Sequence, residues 1–246
     1  MKRDNTPWHP VKPAVIEWSA NDSPRSASHG DVYYSRDNGL EESRHIFLRA
    51  NGLPQRWYDR KDQNVFCIAE TGFGTGLNFL MTWQAWRQLP APRPRLHYLS
   101  FERHPLQLDD LRRALSGGPE LEGLAGELLA NYPGLLPGQH RLNLEAGSMI
   151  LDLWWEDVTC ALPELASREC RFVDAWYLDG FAPSRNQSMW SPAVFASLAA
   201  MTNNGGSFAT FTAAGQVRRG LTAAGFAVEK IPGFGSKRDS LRGVLE

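Results

Sequence analysis

The chain has 246 residues, 42% hydrophobic and 22% charged, with a formal net charge of -1. That length supports one large domain or two small ones without metal or disulfide staples, and the near-neutral balance excludes a global basic field for attracting nucleic acid. Cys67, Cys160 and Cys170 form no C-x-x-C pair and stand in apolar segments, and the six histidines show no ligand spacing; buried reduced thiols and no metal site are expected.

The opening "MKRDNTPWHPVKPAVIEW" lacks the apolar core of a secretion signal, and no later stretch reaches the ~18 apolar residues of a membrane span. A cytoplasmic protein without a membrane segment is expected. Residues 1–64 read as a β-rich extension of short pieces, "AVIEW", "GDVYYS" and "RHIFLRA", punctuated by turns. From residue 65 to 246 strands and helices alternate. "NVFCIAE" predicts a strand, "GLNFLMTWQAWRQL" a helix, "RLHYLSFE" a strand and "PLQLDDLRRAL" a helix. A Gly/Pro-rich stretch (117–138) follows, then two strands, "HRLNLEAG" and "MILDLWWED", with hairpin character. "FVDAWYLDGF" is a strand, "SPAVFASLAAMT" a helix, "GGSFATFT" a strand, "AAGQVRRGLTAAG" a helix and "FAVEKIPG" the last strand. The pattern predicts an α/β, Rossmann-like fold: a mostly parallel sheet with helices on both faces and its ligand at the carboxyl ends of the strands.

The first strand runs into "ETGFGTGL", with Gly72, Gly74 and Gly76 at alternate positions. No Lys-Ser or Lys-Thr follows, which excludes a phosphate-binding P-loop, and Leu77 stands where a dinucleotide fingerprint needs its third small residue. The remaining form, acid-x-G-x-G-x-G, suits S-adenosylmethionine, whose ammonium Glu70 is placed to orient directly or through water. Glu102, ending the second strand, is placed to accept from two ribose hydroxyls. Asp157 or its neighbour Glu156 is placed to accept from the adenine amino group.

A second acid constellation lies in "VDAWYLDGFAPSRNQSMW". Asp179, at a strand's carboxyl end, is expected beside the reacting methyl as proton acceptor for a substrate amine. Phe181 and Pro183 would shape the slot, and Asp174, at the strand's start, is expected to be solvated or salt-bridged. Arg185 and Trp190 are candidates for meeting an RNA loop or stacking on a splayed base. Cations that could contact phosphates cluster late: Arg218, Arg219, Lys230, Lys237, Arg238 and Arg242.

Together "ETGFGTGLNFL", "SFERHPL", "WYLDGFAPSRNQSMW", "GFGSKRDSLRG" and the N-terminal "GDVYYSRDNGLEESRHIFLRANGLPQRW" resemble the methyltransferase half of the bifunctional tRNA wobble-uridine modification proteins, the MnmC family, over nearly the whole chain. The resemblance implies methylation of the 5-aminomethyl group of 2-thiouridine at the tRNA wobble position, in the anticodon loop. It implies that Glu70, Gly72, Gly74, Gly76 and Glu102 hold S-adenosylmethionine and that Asp179 faces the amine. Bifunctional members continue into an FAD-dependent oxidase. This chain ends after "KRDSLRG" without a second dinucleotide fingerprint, so FAD and an oxidase domain are expected only as a further domain or separate partner. The rival readings are an amine methyltransferase for a small molecule or protein, a non-catalytic cofactor- or RNA-binding domain, and a dehydrogenase, against which Leu77 counts.

Overall fold

A computed structural model describes residues 10–20, 22–34, 38–60, 65–116, 118–235 and 238–246. The N-terminal part opens with three short antiparallel strands, Ile16–Trp18 (β1), Pro24–Ser26 (β2) and Asp31–Val32 (β3). The piece "RHIFLRA", expected as extended, is helical instead. Gly39–Ser43 (α1) runs into a wide π-helical turn at Arg44–Arg49, and Gln55–Asp59 (α2) follows. Burial explains the difference: Ile46, Phe47 and Leu48 all reach the core beside Leu53 and Trp57, whereas a strand covered on one face buries only alternate residues.

The remaining elements are Val65–Glu70 (β4), Leu77–Arg87 (α3), Arg95–Phe101 (β5), Leu108–Leu115 (α4), Glu122–Asn131 (α5), Gly138–Leu144 (β6), Met149–Trp155 (β7), Val158–Ala166 (α6), Val173–Tyr177 (β8), Pro192–Met201 (α7), Thr202–Thr210 (β9), Gly215–Ala223 (α8), Phe226–Pro232 (β10) and Asp239–Leu245 (β11). Their strands form one eight-stranded sheet in the order β10-β11-β9-β8-β4-β5-β7-β6. The central run β9-β8-β4-β5-β7 is parallel, as its intervening helices require. β6 and β7 form the antiparallel hairpin anticipated from their sequence.

Both faces of the central strands are covered. All five residues of β8 and the last five of β4 are buried, which is why these strands read as mainly apolar runs, Asp174 and Glu70 excepted. On one face lies α3, whose Phe79, Leu80, Met81, Trp83 and Trp86 are fully buried. Burying one such side chain contributes roughly 1.5–3 kcal/mol, so the helix start is pinned where β4 ends. The other face carries α6, α7 and α8 over Trp176, Phe208 and Leu241.

Four sequence expectations change. The Gly/Pro-rich stretch contains α5, whose Leu124, Ala125 and Leu128 bury at helical spacing around Gly123 and Gly126. A helix, α6, follows Asp157. The last strand is β11, not β10, and it wedges antiparallel between β9 and β10. Cys67 is buried, but Cys160 and Cys170 are exposed, because Cys160 falls on the outer side of α6 and Cys170 in the loop between α6 and β8. Asp174 takes the salt-bridged one of its two expected states: 2% exposed, it pairs with Arg60 at 2.7 Å and accepts from Cys67 N and Asn203 Nδ2.

One buried ionic cluster staples the far side of the sheet. Asp152 on β7 accepts two bonds from Arg141 on β6, at 2.8 and 2.6 Å, and faces His97 Nε2 on β5 at 2.8 Å. Burial alone would raise its carboxyl, but these partners win and bring it to about 2. A depressed acid contributes stability above its unfolded value, near 3.9, and loses it as pH falls toward 2. Asp152→Asn is therefore expected to cost about 2 kcal/mol at pH 7, with the gap to the parent narrowing between pH 4 and pH 2 in urea titrations.

Candidate active site

Strands β4 and β8 are parallel neighbours with Glu70 opposite Tyr177, so the loops that follow them leave the sheet side by side. Thr71 joins them, donating its backbone N–H to the Tyr177 carbonyl (3.2 Å) and its hydroxyl to the Asp179 carbonyl (2.7 Å). At Gly72 the two backbones come so close that an added Cβ would lie 3.3 Å from the Asp179 carbonyl oxygen. The first loop then turns through Gly74 (φ 52°) and Gly76 (φ 73°), a region costing other residues about 1–2 kcal/mol. A Cβ at Gly74 would meet the Tyr33 ring at 3.2 Å, and one at Gly76 the Phe73 ring at 2.8 Å. The tight approaches that the glycine spacing announces are thus made by the protein's own atoms.

Three clefts meet here. The first, about 550 Å³, is lined by Gly72, Gly74, Asn78, Glu102, Asp179 and Phe181 among others. The second, about 540 Å³, shares Gly72, Glu102 and Phe181 and extends to Asp157 and Val158. The third, about 1180 Å³, runs from Asp179 and Phe181 past Asp31 and Glu42 to Phe211 and Phe234.

Glu102 sits where the first two clefts join. Its Oε2 accepts from Gly74 N (3.0 Å) and its Oε1 from His104 N (2.7 Å), which leaves lone pairs for a diol. Burial holds its carboxyl above the ordinary range against the pull of those donors. Asp157 caps α6, accepting from Thr159 N and Oγ1, and pairs with Arg103 at 2.8 Å; it lines the second cleft, whereas Glu156 is exposed and lines none of the three. Glu70 lines none either. It is fully buried beneath the loop, accepting from Asn78 Nδ2 (2.9 Å) and Ser100 Oγ (2.7 Å). Burial, with the negative Asp179 nearby, pushes its carboxyl well above the usual carboxylate range.

Asp179 borders the first and third clefts, its Oδ1 accepting from Gly180 N (2.7 Å) and its Oδ2 from Asn78 Nδ2 (2.6 Å). Phe181 lines all three clefts, stacked on His29 (4.3 Å between centroids) and edge-on to Tyr33 (5.4 Å). Pro183 is buried behind it and lines no cleft. Arg185 is exposed and donates to the His29 carbonyl (2.9 Å), tying the loop to the N-terminal segment. Trp190 is no stacking platform: it is 6% exposed and spends its indole N–H on the Phe181 carbonyl (3.2 Å). Arg238 is exposed beyond the third cleft, its carbonyl accepting from Gly233 N (3.0 Å); Lys237 lies outside the described residues. Lys230 and Arg242 are occupied by Asp239 and Glu229 across β10 and β11.

Sequence reasoning missed Asn78, His29 and Tyr33. Asn78 carried a signal, being a polar residue in an otherwise apolar helix start, and buried polar groups are held for a reason. Among the described residues, no cluster of acids, histidines or cysteines is arranged to hold a metal ion, and no helix is long and apolar enough to cross a membrane.

A glycine loop after β4, an acid after β5 and a second acid after β8, around one cleft, define a Rossmann-like methyltransferase. The fold supports this: MnmC2 from Aquifex aeolicus superposes with a TM-score of 0.72 at 22% identity, covering 96% of this chain and 71% of that one. Spermidine synthase from Thermotoga maritima gives a TM-score of 0.53 at 8% identity, covering 94% and 71%. A family model described as S-adenosyl-L-methionine-dependent methyltransferase matches residues 119–246, and the chain belongs to that family. It is 46% identical over 244 residues to the "tRNA 5-methylaminomethyl-2-thiouridine biosynthesis bifunctional protein MnmC" of Aliivibrio fischeri and 47% identical over 240 residues to that of Vibrio cholerae. These matches cover 97% and 96% of the chain but 36% of each relative, so the chain spans about a third of the length of the curated relatives it matches.

Two outcomes follow from this geometry. Gly74→Val sets a β-branched side chain at positive φ against Tyr33 and is expected to weaken S-adenosylmethionine binding at least tenfold by calorimetric titration; undiminished affinity would remove the loop from the cofactor site. An acid raised by folding destabilises as pH climbs through its folded value. Glu70→Gln should therefore gain thermal stability relative to the parent as pH rises from 5 to 9, and a constant difference would mean Glu70 is not raised.

Proposed function

We propose that this chain methylates the exocyclic amine of 5-aminomethyl-2-thiouridine at the tRNA wobble position, giving 5-methylaminomethyl-2-thiouridine. The observation that carries this reading is the third cleft. It opens on Asp179, holds the further carboxylates of Asp31 and Glu42 and the rings of Phe181, Phe211 and Phe234, and among the described residues neither it nor the first cleft is lined by Lys or Arg. An acidic, aromatic chamber suits an amine on a flat heterocycle: carboxylates attract the ammonium form and rings stack on the base. The relatives' names supply the particular base.

When bound, S-adenosylmethionine supplies an electrophilic methyl on a sulfonium. Gly72, Gly74, Gly76 and Glu102 hold it in the first cleft and Asp157 meets the adenine in the second. Glu70 serves from beneath the loop rather than from within the cleft. The amine lone pair forms the new N–C bond as the C–S bond breaks and its electrons return to sulfur. Asp179 accepts the proton the amine loses, and the enclosing rings keep water from the line of attack. Phe181 and Pro183 shape the slot, while Arg185 and Arg238, with Lys237 of the neighbouring sequence, meet the backbone of the anticodon loop. Residues 65–246 form the methyltransferase unit and residues 1–64 an extension packed on it. A tRNA substrate puts the reaction in the cytoplasm. The relatives' bifunctional name and greater length support an FAD-dependent oxidase, linked or separate, as partner.

The chain's net charge of -1 favours a second reading, a small-molecule or protein amine as acceptor, and one assay separates them. With labelled S-adenosylmethionine, label is expected in tRNA bearing 5-aminomethyl-2-thiouridine and not in matched tRNA lacking the aminomethyl group. Asp179→Ala should lower turnover at least a hundredfold with cofactor affinity within a few-fold. Label absent from both tRNAs, with cofactor binding intact, would overturn the tRNA reading.

A further inference from the structure

Asn78 is the second residue of α3 and is 5% exposed. Its Nδ2 donates to Glu70 Oε1 at 2.9 Å and to Asp179 Oδ2 at 2.6 Å, which commits both amide hydrogens. The orientation of the amide is dictated by Asp179, since an ionised carboxylate offers no hydrogen to the amide oxygen. Asp179 is thereby gripped at both oxygens, by Asn78 and by Gly180 N, while Ser100 holds Glu70 from its far side.

We infer that Asn78 is the positioning residue of the transfer step: its amide separates two neighbouring carboxylates, aims Asp179 into the cleft and keeps it ionised to receive the amine's proton. The inference rests on the reading of Asp179 as proton acceptor. Two carboxylates facing each other directly share one proton, so that neither is a free base. An amide between them gives each its own donor, and the proton is left to the member for which charge is costlier. That member is Glu70, sealed beneath the loop, and its upward displacement agrees. Among the described residues, Glu70 on β4 and Tyr98 on β5 lie behind Asp179, and Asp31, Tyr33, Tyr34 and Glu42 border the clefts across from it, all neutral or negative.

The test measures turnover on tRNA bearing 5-aminomethyl-2-thiouridine across pH, with S-adenosylmethionine affinity measured in parallel. Asn78→Ala is expected to lower kcat ten- to a hundredfold, to leave cofactor affinity within threefold, and to move the acid limb of the kcat profile up by about one pH unit. Asn78→Ser, which keeps one donor and a small side chain at the helix start, should fall between parent and Ala in both respects and serves where Ala melts too low to assay. Added to Asp179→Ala, the Asn78 change should cause no further slowing, because it acts through the group already removed. An unmoved acid limb, or additive slowing on an impaired Asp179→Ala background, overturns this inference alone. Full activity of Asp179→Ala overturns the parent reading and this inference with it.

Discussion

Everything at the site depends on β4 and β8 being parallel neighbours in one register. Side by side, they deliver two loops to the same point, and Thr71 laces the first to the second through two hydrogen bonds. The spacing between the loops leaves no room for a Cβ at Gly72 without pressing on the Asp179 carbonyl. The glycine loop and the loop carrying Asp179 are therefore one backbone assembly, and its tolerances are those of packed protein, where a few tenths of an ångström are felt.

Charge at this junction is arranged by burial more than by ion pairing. Glu70 and Asp179 share one amide, with Glu70 sealed and Asp179 open to the cleft. Two described arginines near the site are turned elsewhere: Arg103 to Asp157, Arg185 to a backbone carbonyl. Any attraction for an RNA backbone is then left to the rim of the cleft. Low net charge and a polyanionic substrate are compatible on those terms, because local field and global charge are separate quantities.

The elements that were legible in the sequence are those whose signal is local. β4, β5 and β8 announce themselves by mainly apolar runs because both sheet faces are covered, α3 by its helical periodicity, and the glycine loop with Glu102 and Asp179 falls at strand ends that this pattern locates. What escaped depends on distant partners. Asn78 acquires its meaning from Asp179, 101 positions away, and the π-helical turn at Arg44–Arg49 from the core it caps. α5 was masked by Gly123 and Gly126, which break propensity without breaking the Leu121, Leu124, Leu128 stripe. Trp190 reads as an exposed aromatic from its polar neighbours, but the loop folds it inward onto Phe181.

Phe181 is a wall common to three chambers and is itself clasped by His29 and Tyr33 from the N-terminal segment. A partition shared in this way makes the occupants of adjoining rooms thermodynamically aware of each other. The ring cannot shift for one ligand without altering the volume offered to the other, and linkage makes that influence equal in both directions. The N-terminal segment thus holds the hinge pin of the partition.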